Sequence, residues 1–436
     1  MAEETRHDRA AMRTAHTASR PVRHGQLKKH RGMTTVLKLI GATLAVILIA
    51  TISLGAVAGY TLTKKINDNA IDIGEGAIGS TNEIGDFKGG FNLLVVGVDN
   101  DEEQGDAYGA RGGTLNDVNI LLHVSANHKN ATVVSIPRDL VIPHPQCEDP
   151  STGDTYAAMS AQPLNVAMSR GGLACVVTTI ETLTGVDIPY AAVMSFKAVV
   201  KMTDAIGGVT VCLADPIDDP KSDLDLEAGL QTISGKTALG FLRTRHGVGD
   251  GSDLARISVQ QIYLSALLRQ VKSADTLANP VKLYSLADAA ATYVKLSTTL
   301  KSTDTMVGMA QTLRTIELSK MAFVQYPGST GDARYPGKVV PNVAVAKKLF
   351  DRIRADKSVK PSALGVGSEI DPSATPVPTQ TAAPEPTSTP TETPTASATP
   401  TESATAAPTP SATNDVIDDL VGQDGETVTC AKGYLK

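Results

Sequence analysis

The chain is poor in the residues that mark the commoner catalytic devices. Its 436 residues include only four cysteines and eight histidines. No CxxC spacing exists, which argues against structural zinc, and the histidines are scattered without metal-ligand spacing. The glycine-rich stretch GVDNDEEQGDAYGARGG lacks a GK[ST] ending, and no Rossmann fingerprint, GxSxG or HExxH occurs. A P-loop nucleotide site, a hydrolase nucleophile elbow and a zincin are therefore not indicated. Long apolar runs are scarce too, and the exception is informative. LIGATLAVILIATISLGAVAGY, from Leu39 to Tyr60, carries no charge and is about as long as a hydrocarbon core is thick. It reads as one transmembrane helix, the alternative being a cleaved signal peptide.

Acids are rare before this run, where Arg6, Arg9, Arg13, Arg20, Arg23, Lys28, Lys29, Arg31 and Lys38 cluster. That bias predicts a cytoplasmic N-terminal arm (1–38), a span (39–60) and an exterior remainder at the cell membrane. The arm has no folded module and no aromatic interleaving, so a nucleic-acid partner is not expected. The formal net charge is −6 with this arm included, so the exterior part is more acidic still. Cys147, Cys175, Cys212 and Cys430 all fall outside the span, in an oxidising compartment, and two disulfides are expected. Three pairings are possible. Cys147 with Cys175, inside one loop-helix region, is favoured, which leaves Cys212 with Cys430.

Residues 61–90 read as a juxtamembrane stalk, rich in Gly, Asn and Asp from Ile71. From Phe91 the pattern changes. FNLLVVGVD, Val118 to Val124 and Ala131 to Ile136 are short, nearly continuous apolar runs of the kind that sheets bury on both faces. Helical and strand patterns then alternate, with Gly185 and the Gly207-Gly208 pair as helix stops, through a helix over Leu254 to Val271 and a strand near Met321 to Tyr326. The alternation predicts a three-layer α/β/α domain with a central mixed β-sheet over residues 91–355. Residues 361–413 are dominated by Pro, Thr, Ser and Ala and predict a disordered spacer, a candidate carrier of O-linked sugars. A C-terminal tail, 414–436, contains Val416, Ile417, Leu420 and Val421, which could dock back on the domain.

Two constellations carry chemistry. RTRHGVGDGSDLARISVQQ joins a short helical pattern to the long one. In extended chain, Arg243 and Arg245 would point to one face, and Arg256 and Gln260 share a helix face at i, i+4. A cation in the first turn of a helix opposes the macrodipole, so local stability does not select Arg256, whereas a phosphate or pyrophosphate would. The competing reading is a structural network with Asp250 and Asp253. The second constellation is Asp99 after the first strand, Asp117 opening the second, and Arg138 with Asp139 after the third. Strand ends are where open α/β sheets gather ligands. Carboxylates beside arginines supply what phosphoryl transfer asks for, either holding Mg2+ against phosphate oxygens or accepting a hydroxyl proton. Singly, each Asp is as readily a turn former or strand-end cap.

VVGVD, NDV-N-I-L, SIPRD, ETLTGVDIPYAAVMSF, DAIGGVTVCL and RTRH…DLARISVQQ together resemble the LytR-CpsA-Psr family of cell-envelope proteins in its actinobacterial form, strongly over Phe91 to Lys272. The resemblance implies a membrane-anchored phosphotransferase. It would move a glycopolymer from a polyprenyl-pyrophosphate carrier to a peptidoglycan sugar hydroxyl, with Mg2+ as cofactor and a pyrophosphatase side activity. On this chain it makes Asp99 and Asp117 the metal or catalytic positions, Arg138 the PRD arginine, and Arg243, Arg245, Arg256 and Gln260 the RxR…RxxxQ set that holds pyrophosphate. Two family arginines are replaced, by Leu115 and Val259, and Arg111 is a candidate substitute for the first. Val193, Phe196, Val199, Val200, Leu264, Leu267, Leu268 and Val271 are candidates for lining a prenyl tunnel, although such stripes also form plain core. A non-catalytic receptor for polyprenyl-pyrophosphate lipids or wall glycans is the alternative, its spacer reaching across the wall.

Overall fold

A computed structural model describes residues 32–74, 89–100, 114–273, 276, 278–371 and 415–434. The arm before Gly32, most of the predicted stalk, Arg111 and the Pro/Thr segment 372–414 lie outside the described residues. The chain divides into an N-terminal unit ending at Ala58 and a second unit from Gly59 onward. In the first, helix α1 (Gly32–Asp68) begins, and its stretch Val36–Asp68 is long and apolar enough to cross a membrane. Leu37, Leu39, Leu44 and Leu48 are more than half exposed, as lipid-facing side chains would be.

In the second unit the strands of the two larger sheets are β1 (Phe91–Val98), β2 (Asn116–Val124), β3 (Ala131–Ile136), β4 (Tyr190–Ser195), β5 (Val209–Leu213), β6 (Gly229–Ile233), β7 (Val294–Leu296), β8 (Met321–Gln325), β9 (Lys360–Ala363), β10 (Ser368–Ile370), β11 (Val416–Asp424) and β12 (Thr429–Ala431). The helices are α2 (Ala167–Thr184), α3 (Phe196–Ile206), α4 (Gly235–Arg243), α5 (Asp253–Lys272), α6 (Pro280–Tyr293), α7 (Thr303–Thr315) and α8 (Val343–Arg354). Eight strands form one sheet in the order β7-β4-β1-β2-β3-β8-β11-β9, and four form another, β6-β5-β12-β10. The large sheet is mixed: β1 with β4, β3 with β8 and β9 with β11 run parallel, while β1 with β2 and β2 with β3 run antiparallel.

Strand alternation divides the core. Leu94, Val96 and Leu121 point to a cluster completed by Val176 and Ile180 of α2 and Leu349 and Phe350 of α8. On the opposite face Phe91, Val124 and Val133 meet Met309 of α7 and, half-buried, Leu264 and Leu268 of α5. A third cluster ties Val209, Val211 and Leu213 of the small sheet to Phe241, Val259 and Ile262. Helices thus cover both faces of the mixed sheet, the expected three layers.

The domain does not end near Ala355. β9, β11 and β12 extend both sheets beyond it, and Leu420 of β11 is fully buried in the first cluster. The Pro/Thr segment therefore joins two strands of one domain instead of leading to a free tail. The Pro/Thr composition gives no strand signal of its own, and Val416, Ile417 and Leu420 beyond it supply that of β11. The predicted stalk likewise starts inside the fold: Ile71 bridges to Ser297, and Ile73 packs in the first cluster. Cys147 bonds Cys175 and Cys212 bonds Cys430, the latter directly opposite each other where β5 and β12 pair.

Candidate functional site

The registers of three central strands bring the first constellation together. Val98 at the end of β1 pairs with Asn116 at the start of β2, and Asn119 pairs with Ile136 at the end of β3. Asp99, Asp117 and Arg138 therefore meet at one sheet edge. Between them Gly97 marks a register shift, and a Cβ there would come within 2.8 Å of Val118 Cβ, so the close approach of β1 to β2 requires glycine. Asp99 is buried, with Oδ1 accepting from the Leu115 amide at 3.1 Å. The family's missing arginine at position 115 thus leaves a residue whose backbone, at least, steadies Asp99.

Around Arg138 a charged network closes. Arg138 Nη1 donates to Asp117 Oδ1 at 2.7 Å, and Arg138 Nε lies 3.7 Å from Asp253 Oδ1 and 3.8 Å from Asp139 Oδ2. Arg256 Nη2 sits 2.7 Å from Asp253 Oδ1 and donates to the Asp117 carbonyl at 3.0 Å. Lys338 Nζ reaches Asp139 Oδ1 at 2.6 Å, and Arg245 Nη1 comes within 4.0 Å of Asp139 Oδ2. Arg138, Arg245, Arg256 and Lys338 face Asp117, Asp139 and Asp253, so cations outnumber carboxylates in the network. Nε of Arg138 and Nε of Arg256 are buried and make no hydrogen bond among the described residues. Unsatisfied donors of this kind are costly unless an acceptor arrives, and an oxyanion is the acceptor that fits. Burial pulls the Arg138 pKa down, but Asp117, Asp253 and Asp139 together hold it above its ordinary value. At Arg256 burial prevails over Asp253 and lowers it, from a starting point so high that the guanidinium stays charged.

The turn that carries Arg245 is held from below. Asp219, 2% exposed, accepts on Oδ2 from Thr244 Oγ1 at 2.7 Å, from the Arg245 amide at 3.1 Å and from the His246 amide at 3.2 Å. Burial alone would raise its carboxyl pKa, yet these bonds bring it below the usual carboxylate value. Arg245 Nε then donates to the Gly251 carbonyl at 3.0 Å. From the other side the C-terminal segment closes on the same turn: Tyr434 N donates to Gly247 O at 2.9 Å and Gly249 N to Lys432 O at 3.2 Å. Ser252, not Asp253, caps α5, its Oγ accepting from Ala255 N at 3.2 Å. Asp253 is thereby left to face the arginines. This realises part of the structural-network reading, since Arg256 does pair with Asp253, while Asp250 serves only the turn, accepting from Ser252 N at 2.9 Å.

Arg243 and Gln260 go elsewhere. α4 continues through Arg243, with Thr244 N bonded to Gly240 O, so Arg243 and Arg245 are not two residues apart on extended chain as expected. The Arg243 guanidinium stacks 4.6 Å over the Phe196 ring, and Gln260 Nε2 donates to Leu242 O at 2.9 Å. Both border an apolar cavity of about 220 Å3 that also touches Gly97 and Val118, next to the site edge. Of the tunnel candidates Phe196, Val199, Leu264 and Leu267 line it, whereas Val193, Leu268 and Val271 pack in the cores. Val259, where a family arginine is expected, is fully buried in the third cluster and does not face the charges.

Sequence reasoning singled out neither Lys338 nor Asp219, which lie far along the chain and carry no local motif. Asp139 and Asp253 are legible beside arginines in the sequence, and the structure places both against Arg138.

Residues 57–352 match the LytR_cpsA_psr family. The chain belongs to that family. Among curated relatives, a cell wall biosynthesis protein of Corynebacterium glutamicum, LcpA, is 32% identical over a stretch covering 46% of this chain and 43% of that protein. A Bacillus subtilis polyisoprenyl-teichoic acid–peptidoglycan teichoic acid transferase, TagT, is 27% identical over 57% of this chain and 74% of its own length. The chain thus spans less than half of LcpA. The fold agrees with that of the Streptococcus agalactiae protein gbs0355, at TM-score 0.50 and 20% identity, covering 62% of this chain and 90% of that one. The LytR-CpsA-Psr match stops at residue 352, so β9 to β12, and Lys432 and Tyr434 that hold the arginine turn, lie beyond it.

Proposed function

We propose that this LytR-CpsA-Psr protein is a membrane-anchored phosphotransferase that moves a glycopolymer from a polyprenyl-pyrophosphate carrier to a peptidoglycan sugar hydroxyl. The observation that carries it is the pairing of buried guanidinium donors with an adjoining apolar cavity at one sheet edge. One molecule with a pyrophosphate head and a prenyl chain suits both. The name of TagT, a teichoic acid transferase, favours the same reaction class.

Arg138, Arg256 and Arg245 hold the pyrophosphate and neutralise charge as it shifts to the leaving phosphate. The acceptor hydroxyl attacks the glycan-bound phosphorus. Its proton passes to a carboxylate, Asp99 or Asp117, as the bond to the bridging pyrophosphate oxygen breaks, giving a phosphodiester and the carrier monophosphate. Hard oxygen donors at adjoining strand ends fit Mg2+, which takes one or two carboxylates together with substrate phosphate oxygens. Asp99 and Asp117 would hold it, and when bound it would supply charge neutralisation at the phosphates. Asp253, ion-paired but with neither oxygen accepting a hydrogen bond among the described residues, adds a third carboxylate nearby. Hydrolysis of the carrier pyrophosphate, with water in place of the sugar hydroxyl, would be a side reaction of the same arrangement. The basic arm keeps the N-terminus cytoplasmic and the domain outside.

The test uses the full chain in lipid nanodiscs with a polyprenyl-pyrophosphate oligosaccharide, a peptidoglycan oligomer and Mg2+. Mass spectrometry should find a phosphodiester-linked product that is absent with Asp99→Ala. Lipid binding without any product would favour the receptor.

A further inference from the structure

Helix α6 presents an apolar face that nothing among the described residues covers. Val281 is 72% exposed, Tyr284 44% and Leu283 38%, and Pro280 and Ala287 are exposed with them. Positions 280, 283, 284 and 287 fall on one side of the helix, and Val281 flanks them beside Asp288, the one charge at the border of this face. The same helix turns Leu286 into the wall of the apolar cavity beside the arginines. Its far end is tied to the residues that follow the charge-free run. Lys65 Nζ lies 2.6 Å from Asp288 Oδ1 and donates to Thr292 Oγ1 at 3.1 Å, and Asn69 Nδ2 donates to Ala291 O at 3.2 Å. Tyr284 is one helical turn, about 6 Å, from Asp288. An uncovered apolar stripe therefore sits close to residues 65–69, which follow the charge-free run, on the helix that walls the apolar cavity.

We infer that the 280–287 face of α6 lies in the headgroup and acyl boundary of the bilayer and that a prenyl chain enters the cavity past Leu286. The cavity, at about 220 Å3, is too small for a whole long-chain carrier. The remainder of the chain must lie against something apolar, and a helix embedded beside the entrance provides a path that never exposes it to water. A folded protein partner is disfavoured, because one short helical stripe falls well short of the roughly 800 Å2 per partner that stable association buries. The entry step rests on the lipid-linked reading of the site, whereas the membrane contact of α6 does not.

The chain has no tryptophan, so a single one reports without background. Tyr284→Trp in the full chain is reconstituted in phosphatidylglycerol and phosphatidylethanolamine vesicles whose acyl chains carry bromine. The comparator is Val343→Trp, 70% exposed on α8, which packs against the opposite face of the sheet. Emission at 284 should be quenched more than about twofold and shifted to the blue, with the comparator unaffected. Equal emission from the two positions, quenched or not, overturns the proposal. A second arm uses the exposed pair Val281→Asp with Leu283→Asp. Transfer from a long-chain carrier in vesicles should fall about tenfold, while a geranyl-pyrophosphate oligosaccharide in solution reacts as with the unaltered protein. Equal loss with both substrates overturns the entry path. If the unaltered protein transfers from neither, the phosphotransferase reading has failed, and the tryptophan result still decides the membrane contact.

Discussion

The two halves of the site are built in opposite ways. Asp99, Asp117 and Arg138 follow or open central strands whose registers fix them, so each is placed by residues close to it in sequence. The arginine turn is placed from a distance: by Asp219 beneath it, by Lys432 and Tyr434 beside it, and by a disulfide joining Cys212 to Cys430 across 218 residues. A sheet edge is rigid because its strands are. A glycine-rich turn carrying cations has no such stiffness and needs an external frame.

The largest effect should come from Arg256→Met, which removes the nearest partner of buried Asp253 and leaves it only Arg138 Nε at 3.7 Å. We expect a loss of about 3–5 kcal/mol in chemical denaturation, together with loss of transfer. A smaller loss would mean that Arg138 alone satisfies Asp253.

Opening the frame covalently comes next. Replacing both Cys212 and Cys430 by Ala should cost about 2–5 kcal/mol and loosen the turn, since the bond closes a very long loop. Replacing Cys147 and Cys175, which close 28 residues, should cost less and leave pyrophosphate affinity intact. Equal effects on affinity would erase the distinction between the two halves.

Asp219→Asn keeps the shape but weakens the acceptor, for an expected loss of about 1–3 kcal/mol at neutral pH. The folded carboxyl titrates below its ordinary value of about 3.9, so its contribution is complete above that pH and disappears as pH falls through the lower folded value. Stability curves of the variant and the parent should therefore converge in acid. Parallel curves down to the lowest accessible pH would contradict the assigned role.

The mildest change is Lys338→Met. Half-exposed, it should alter stability by no more than about 1 kcal/mol while raising the Km for the lipid pyrophosphate several-fold. An unchanged Km would place Asp139 and Lys338 outside the anion's reach.

The same contrast explains what the sequence makes legible. The apolar runs at 91, 118 and 131, the glycine helix stops and the helix carrying Arg256 are local patterns, and the three-layer domain follows from them. Asp99, Asp117 and Arg138 could be placed together because strand ends convert directly into position. Arg243 could not: nothing local shows that α4 runs one residue past Leu242, which turns Arg243 onto Phe196 instead of beside Arg245. Asp219 and Lys338 act only through tertiary contact, and short polar stretches give no sign of it. The docking of the C-terminal tail is legible in Val416, Ile417 and Leu420, but its pairing as β11 with β8, nearly a hundred residues earlier, is not.

The central claim is that one anionic head and one apolar chain bind this edge together. Calorimetric titration of the full chain in nanodiscs with geranyl pyrophosphate, geranyl phosphate and geraniol tests it most directly, with Arg245→Ala alongside. The account predicts affinity falling in that order, and a loss in Arg245→Ala that is largest for the pyrophosphate. Equal affinity for pyrophosphate and alcohol, or a variant that binds all three as the parent does, would contradict it.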